Sequence, residues 1–349
     1  MNKVTSRLRD LDDSARLESA GLARLVQPMP FGPESVNVYL GLGPPPFLID
    51  TGLPSARGAS WLAEALAARG LRLADVGHVF LTHAHLDHAG AVQELSARHG
   101  AMVWAHPGEA PRLDGRQVVF LEKHLPALLR WCGLAPDFLD RFLASLEKPA
   151  SGYKQLVLDR FQPLTPGMRL PVSGLDLEVV HTPGHSGGSV CFLERGRGLL
   201  FTGDTLLAQG PPRALISPSG EDTVPFDGLL ALERSLAVLE QIGPAVVLGG
   251  HGPPAPFPQA AAQARRSFQA RRQAVLGALA PGRTVFDLIR DKAGGPPVAF
   301  LMAVGETRAT LEALLAEKRI RREERDGVER FFPLVFQPDD STFRLEPRR

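Results

Sequence analysis

Short apolar segments recur along this chain, and several of them stop abruptly at glycine or at a polar residue. Residues 79–81, 198–203 and 245–250 are examples, and residues 175–180 instead alternate apolar and polar positions. Short apolar runs bounded by turn residues predict buried β-strands, and alternation predicts a strand with one buried face. The pattern therefore predicts β-strands that are each followed directly by a turn.

Helical spacing replaces the strand pattern between about residues 108 and 160. Apolar residues recur there three or four positions apart, which predicts a helical insertion between two strands. The apolar positions are Leu121, Leu125, Leu128, Leu129, Phe138, Leu139, Phe142, Leu143 and Leu146.

The last part of the chain has a pattern of its own. It predicts a helix over residues 265–279, a helix that begins at Thr284, and a long helix over residues 299–318. Thr284 and Asp287 have the spacing of a capping box. Asp326 and Gly327, between two strand-like runs, predict the turn of a two-stranded hairpin.

Composition is that of an ordinary globular protein. The chain has 349 residues, of which 44% are hydrophobic and 22% charged, so two domains are expected. Apolar runs never reach 18 residues and the first residues mix charges, so we expect no membrane segment, no signal peptide and a cytoplasmic location. Cys132 and Cys191 lie far apart and are expected to be buried apolar residues rather than a disulfide or metal ligands.

The candidate chemistry begins directly after the apolar run 79–81. His83, His85, Asp87 and His88 fall within six residues of one another. Imidazoles and a carboxylate suit zinc, iron or manganese, and a loop at the end of a strand can point them all one way. Packed imidazoles without an ion would repel one another or need separate partners. The motif therefore predicts a metal site.

Three later residues occupy similar positions. His185 follows the alternating strand through a Pro-Gly turn, and Asp204 and His251 each follow an apolar run that breaks at glycine. One ion cannot accept all of these groups. The seven residues therefore predict a binuclear site.

These motifs resemble those of the metallo-β-lactamase superfamily over roughly residues 20–258. The resemblance implies an α/β fold, an αββα sandwich with its ligands at one edge of the sheets. It also implies that Asp50, in the early strand-turn at residues 47–52, supports the metal loop. The implied ligands are His83, His85 and His185 for the first metal and Asp87, His88 and His251 for the second, with Asp204 bridging both.

Two residues narrow the resemblance within the superfamily. Zinc β-lactamases lack a bridging aspartate, so Asp204 favours the glyoxalase II-like and lactamase-like nuclease branch over antibiotic hydrolysis. Redox di-iron members carry glutamate where this chain has His85, so a redox role is disfavoured.

The predicted ligand set implies hydrolysis. Two divalent cations lower the pKa of a shared water from about 15.7 toward 7 and polarise the oxygen under attack. Asp87 is the predicted catalytic residue, because a free carboxylate oxygen there orients the nucleophile and passes a proton to the leaving group. Zinc is the expected metal, with iron and manganese as alternatives. The expected substrate is a small thioester, another activated ester or a lactone.

The alternative function is a nuclease acting on single-stranded nucleic acid. Residues 260–336 resemble a winged-helix domain, and residues 260–335 hold 14 lysines and arginines against 9 acidic residues. A basic surface of this kind can bind the phosphates of a nucleic acid. The acidic residues interleave with the arginines, however, which is typical of a solvated hairpin. Packing or a homodimer contact is the other interpretation of this tail.

Substrate contacts are expected from the insertion, because in the superfamily material at this position overhangs the metals. The candidates are Lys123, His124, Arg130, Tyr153 and Lys154.

Overall fold

Two β-sheets form the centre of the protein. The computed structural model describes residue 15 and residues 17–30, 34–54, 56–150, 160–215 and 227–334. Within that part of the chain, one six-stranded sheet has the order β1-β2-β3-β4-β5-β6, antiparallel for the first two pairs and parallel for the rest. Its strands are β1 (Leu22–Pro28), β2 (Ser35–Gly41), β3 (Phe47–Ile49), β4 (His78–Phe80), β5 (Met102–Ala105) and β6 (Phe161–Pro163).

The second sheet has the order β12-β11-β10-β9-β8-β7. Its β10 and β11 are parallel, and its other neighbours are antiparallel. Its strands are β7 (Arg169–Val172), β8 (Leu175–His181), β9 (Val190–Glu194), β10 (Leu199–Gly203), β11 (Val246–Gly249) and β12 (Ala255–Pro256).

Helices accompany the two sheets. Those described are α1 (Ala56–Ala67), α2 (Leu86–Ala89), α3 (Ala110–Leu113), α4 (Arg116–Trp131), α5 (Pro136–Ala150), α6 (Gly228–Ile242), α7 (Phe257–Ala278), α8 (Val285–Ile289) and α9 (Pro297–Ala316). None of them is long and apolar enough to cross a membrane.

Alternate residues along a strand point either into the core between the sheets or outward against the helices. Phe80 lies in the core between the sheets, with its ring centroid 5.9 Å from that of Phe192. Its neighbour Val79 packs on the outer side with Leu62 and Leu66 of α1. This period of two follows from the pleat of a strand. The opposite sheet is covered in the same way by α6 and α7, so the predicted mixed α/β architecture is confirmed.

Several strands end at one edge of the sandwich. β3 and β4 run parallel in the first sheet. In the second sheet, β8 and β10 are both antiparallel to β9, and β11 is parallel to β10, so all three share one direction. The turns after these five strands carry the polar residues singled out in the sequence.

The insertion and the last part of the chain share a hydrophobic core. Leu129 and Phe142 of the insertion belong to the same buried cluster as Phe300 and Leu311 of α9 and Phe331 of the hairpin. Ring centroids of Phe142 and Phe300 lie 5.0 Å apart at 61°. These two segments therefore stabilise each other, although about 150 residues separate them in the sequence.

Local predictions for the tail are confirmed, whereas the expected division into two domains stays a prediction. Thr284 and Asp287 form the capping box of α8. Strands β13 (Ile320–Arg325) and β14 (Val328–Pro333) form the hairpin, with positive φ at Asp326 and Gly327. Residues 258–260, where the two domains are expected to divide, lie within α7, and Phe268 of that helix packs on the second sheet. The core of the sandwich therefore continues past His251, the last of the predicted metal-site residues.

Candidate metal centre

The structure brings all seven predicted metal-site residues together at one edge of the sandwich. Their donor atoms form three overlapping groups, each with all atoms within 4.8 Å of one another. The groups are His83, His85 and His185; His83, His88 and Asp204; and Asp87, His88 and His251.

The first group is made of imidazoles alone. The Nδ1 atom of His85 lies 2.9 Å from the Nε2 atom of His185. The ring of His83 stands nearly perpendicular to both, with centroids 4.6 and 4.7 Å away. Three nitrogens from two loops thus converge on one point.

Carboxylates belong to the other two groups and lie close to the first. The Nε2 atom of His251 lies 3.5 Å from Asp87 Oδ2 and 3.4 Å from Asp204 Oδ2. The carboxylate of Asp204 is also 3.5 Å from Nε2 of His185 and from Nε2 of His88. The carboxylate of Asp204 therefore lies between His185 of the first group and the pair His88 and His251.

The donor set fits divalent cations. Nε2 of His83, Nε2 of His88 and Oδ1 of Asp204 are buried and have no hydrogen-bond partner among the described residues. Buried polar atoms are normally paired, because an unpaired one costs about 1–3 kcal/mol. Imidazole nitrogens and carboxylate oxygens that converge in this way are suited to zinc, iron or manganese.

Burial and charge divide the histidines into two sets. Burial, helped by neighbouring imidazoles, holds the pKa of His83 well below its usual value, and burial also lowers the pKa of His185. Burial opposes the charged form of His88 and His251 too. Asp87 and Asp204 outweigh it and raise the pKa to about 9 for His88 and about 11 for His251. The carboxylates thus concentrate negative charge around His88 and His251.

A hydrogen-bonded chain fixes the orientation of two histidines. His83 Nδ1 lies 3.0 Å from Thr82 Oγ1, and the Thr82 hydroxyl donates to Asp50 Oδ2 at 2.8 Å. His88 Nδ1 donates to the same carboxylate oxygen at 2.8 Å. Asp50 Oδ1 accepts from the Thr82 backbone N–H. Such contacts turn the opposite ring nitrogens toward the centre, and Asp50 accepts three of these hydrogen bonds.

Backbone carbonyls orient two further rings. His185 Nδ1 donates to the carbonyl of Arg213 at 2.8 Å, and His251 Nδ1 donates to that of Ser35 at 2.7 Å. Asn37 Nδ2 and Tyr39 Oη donate to the Gly249 carbonyl and hold the turn that carries His251. In each case the Nε2 atom is left to face the centre.

Gly250 permits the close approach of the turns. A Cβ atom there would lie 2.5 Å from Asp204 Oδ1 and 2.6 Å from His88 Cε1. A side chain would therefore push apart two groups whose spacing a metal site requires.

Several residues that support the centre were not predicted from the sequence. Asn37, Tyr39 and Thr82 lie in or beside strands and have no spacing motif. Glu109 is buried and accepts hydrogen bonds from two of the metal-site loops. Glu109 could have been suspected only from its position shortly after strand β5, because the predicted ligands also follow strands directly.

The predicted substrate contacts stay predictions. Lys123 and Arg130 are exposed on α4, and His124 is partly buried there. Tyr153 and Lys154 lie outside the described residues.

Several known proteins are similar to this chain. Residues 31–282 match the family model described as the metallo-beta-lactamase superfamily. The probable metallo-hydrolase YqjP of Bacillus subtilis (strain 168) is 30% identical over 255 residues, covering 70% of this chain and 76% of that protein. Hydroxyacylglutathione hydrolase GloC of Haemophilus influenzae is 29% identical over 50% of this chain and 68% of its own length. An atrochrysone carboxyl ACP thioesterase of Aspergillus fumigatus is 30% identical, but only 33% of it is covered.

Solved structures extend the likeness beyond the sandwich. The metallo-beta-lactamase family protein TTHA1429 of Thermus thermophilus has a TM-score of 0.72 and 28% identity, with 90% of this chain and 99% of that one covered. A beta-lactamase domain protein of Burkholderia ambifaria has a TM-score of 0.73 at 24% identity, which shows the fold, and covers 90% of this chain and 92% of its own. The matched family model and the relative in Bacillus subtilis establish that the chain belongs to the metallo-β-lactamase superfamily of metal-dependent hydrolases.

Proposed function

We propose that the protein is a binuclear metal-dependent hydrolase that cleaves a thioester or another activated ester or lactone. The observation that carries the proposal is the convergence of buried, unpaired imidazole and carboxylate atoms from separate loops on one small volume. Two of the similar proteins are named as a thioesterase and a hydroxyacylglutathione hydrolase. Those names favour a thioester as the first substrate class to test.

Residues of this chain would hold two ions. His83, His85 and His185 suit one, and Asp87, His88 and His251 suit the other, with Asp204 shared between them. We propose zinc, with iron and manganese as alternatives, because imidazole nitrogens and carboxylate oxygens are common zinc ligands and also suit the other two metals. When bound, such ions make a water nucleophilic at neutral pH and polarise the carbonyl oxygen under attack.

Asp87 has the environment of a proton-transfer group. Its side chain is 24% exposed, against 14% for Asp204, so it is the carboxylate of the pair that substrate more readily reaches. Burial opposes ionisation, but His88 and a hydrogen bond from His251 outweigh it and lower the pKa of Asp87. The carboxylate is therefore ionised at neutral pH. It can accept a proton from the attacking water and return it to the thiolate or alkoxide that leaves.

The hairpin arginines argue against the nuclease alternative. Arg322 Nη1 lies 3.0 Å from Glu312 and 2.9 Å from Glu329, and Arg321 and Arg325 both pair with Glu323. Phosphates would have to displace these carboxylates before they could bind. Packing of the tail on the insertion gives it a structural role that needs no nucleic acid.

A parallel turnover screen tests the proposal. Metal-loaded protein is assayed on acyl thioesters, lactones, phosphodiesters and labelled single-stranded RNA, beside an Asp87→Asn variant. We expect thioester or lactone cleavage by the wild type, and a loss of about 100-fold or more in kcat in the variant, the size of a general acid–base contribution. RNA cleavage with no ester turnover would overturn the proposal in favour of the nuclease.

A further inference from the structure

Glu109 is a buried carboxylate that the mechanism above does not use. It lies in the turn Pro107–Glu109, directly after β5, and its relative exposure is 0%. Its Oε2 atom accepts a hydrogen bond from the backbone N–H of Ala84 at 2.8 Å. Its Oε1 atom accepts from the hydroxyl of Ser186 at 2.7 Å and from the backbone N–H of Gly188 at 3.0 Å.

These donors belong to two metal-site loops. Ala84 lies between His83 and His85, and Ser186 directly follows His185. The three histidines are the members of the first group, and they come from separate sheets of the sandwich. One carboxylate therefore joins both loops from which that group is assembled.

The surroundings of Glu109 leave little freedom for another arrangement. A Cβ atom on Gly188 would lie 2.8 Å from Glu109 Oε1, and one on Gly108 would lie 3.2 Å from the Gly188 backbone. Arg112, which is also buried, places Nη1 3.6 Å from Glu109 Oε2 and balances its charge. A buried carboxylate costs free energy unless hydrogen bonds and a counter-charge satisfy it, and both are present here.

We propose that Glu109 is a positioning residue that fixes the separation of the two loops and so tunes the metal affinity of the His83, His85 and His185 group. This inference rests on the proposed metal centre. The ligand atoms must converge to within a few tenths of an ångström for tight binding, and groups that orient ligands typically change affinity by about 10–100-fold. Glu109 acts on backbone N–H groups that flank the ligands and not on the imidazoles themselves.

Glu109→Gln separates this role from packing. Glutamine has the same shape, but it offers one acceptor oxygen and one amide nitrogen. If the oxygen faces Gly188, the amide N–H group points at the donor of Ala84; if it faces Ala84, the amide points at the donor of Gly188. Either orientation sets two donors against each other and breaks the tie to one loop.

Glu194→Gln is the matched control. Glu194 is 5% exposed, accepts from the Arg197 backbone N–H at 2.6 Å, and pairs with the Arg197 side chain at 3.2 Å. It ends β9 at the far end from the metal-site loop that precedes Val190. Both variants thus lose one buried negative charge, but only one of them touches the centre.

The experiment measures cobalt(II) binding by chelator competition and records the visible d–d absorption of the loaded protein, independently of turnover. We expect Glu109→Gln to weaken one cobalt site by about 10–100-fold and to alter its d–d bands, with the second site nearly unchanged. Glu194→Gln should match the wild type in both measurements. Ser186→Ala, which removes one of the donors, should produce a smaller loss at the same site.

The other outcomes distinguish failure of this proposal from failure of the proposed function. The proposal is overturned if Glu109→Gln keeps the cobalt affinity and the spectrum of the wild type. It is also overturned if Glu194→Gln loses as much cobalt affinity as Glu109→Gln. If Glu109→Gln does not fold, the Ser186→Ala result decides, and an unchanged affinity there overturns the proposal. Absent cobalt uptake by the wild type would instead overturn the metal centre, and intact cobalt sites without ester turnover would count against the proposed substrate class alone.

Discussion

Phe142 and Phe300 offer a direct test that the insertion and the tail form one folding unit. Phe142 belongs to α5 and Phe300 to α9, with exposures of 7% and 1%. Their rings meet edge to face, with centroids 5.0 Å apart. We compare the free energies of unfolding of Phe142→Ala, Phe300→Ala and the double variant in a double-mutant cycle.

The expected magnitudes follow from burial and ring geometry. Each single substitution empties a phenylalanine-sized volume from a closed core and should lower the free energy of unfolding by about 3–5 kcal/mol. An edge-to-face pair contributes about 0.5–1.5 kcal/mol beyond the buried area. The double variant should therefore lose less than the sum of the single losses by about that amount.

Urea unfolding followed by fluorescence and circular dichroism provides the assay. Val298→Ala is the control, because Val298 lies on the same helix with 55% exposure and should change stability by less than about 0.5 kcal/mol. If the stability lost by the double variant equals the sum of the two single losses within about 0.3 kcal/mol, the shared core is refuted. Separate unfolding transitions for insertion and tail would refute it as well.

Three further outcomes are expected. Asp204→Ala should reduce metal content below two ions per chain and cut turnover by orders of magnitude while circular dichroism stays unchanged, since strand-end loops contribute little to the core; an active wild type with one ion or none by elemental analysis would contradict this. Turnover of a neutral ester should change little between 50 and 200 mM salt, whereas a nuclease should lose roughly tenfold or more in affinity over that range. Cys132 and Cys191 should react with a thiol reagent only after unfolding, because burial raises the pKa of both thiols to about 12, and rapid labelling of native protein would show that one of them is accessible.

The sequence predicted the features that depend on local order. The turns carrying Asp204 and His251 follow apolar runs that break at glycine, and β10 and β11 end where that pattern indicates. The hairpin turn at Asp326 and Gly327 was predictable for the same reason, because two adjacent residues determine its geometry.

Features that depend on contacts between distant segments were not predictable. Glu109 meets Ala84 and Gly188 through backbone N–H groups, which any residue at those positions supplies, so no sequence motif announces the contact. The core shared by Leu129 and Phe331 is similar, since an apolar stripe on a helix indicates that it is buried but not which partner covers it.

The shared core of insertion and tail has a consequence for the order in which the chain folds. Phe142 leaves the ribosome well before Phe300, and the intervening 157 residues take about 8 to 30 seconds to synthesise. Every strand of the two large sheets is complete before that time has passed. During this interval the apolar faces of α4 and α5 lack their final covering, which is the condition in which nascent chains aggregate or recruit chaperones. The yield of soluble enzyme should therefore depend on how quickly the last helices arrive.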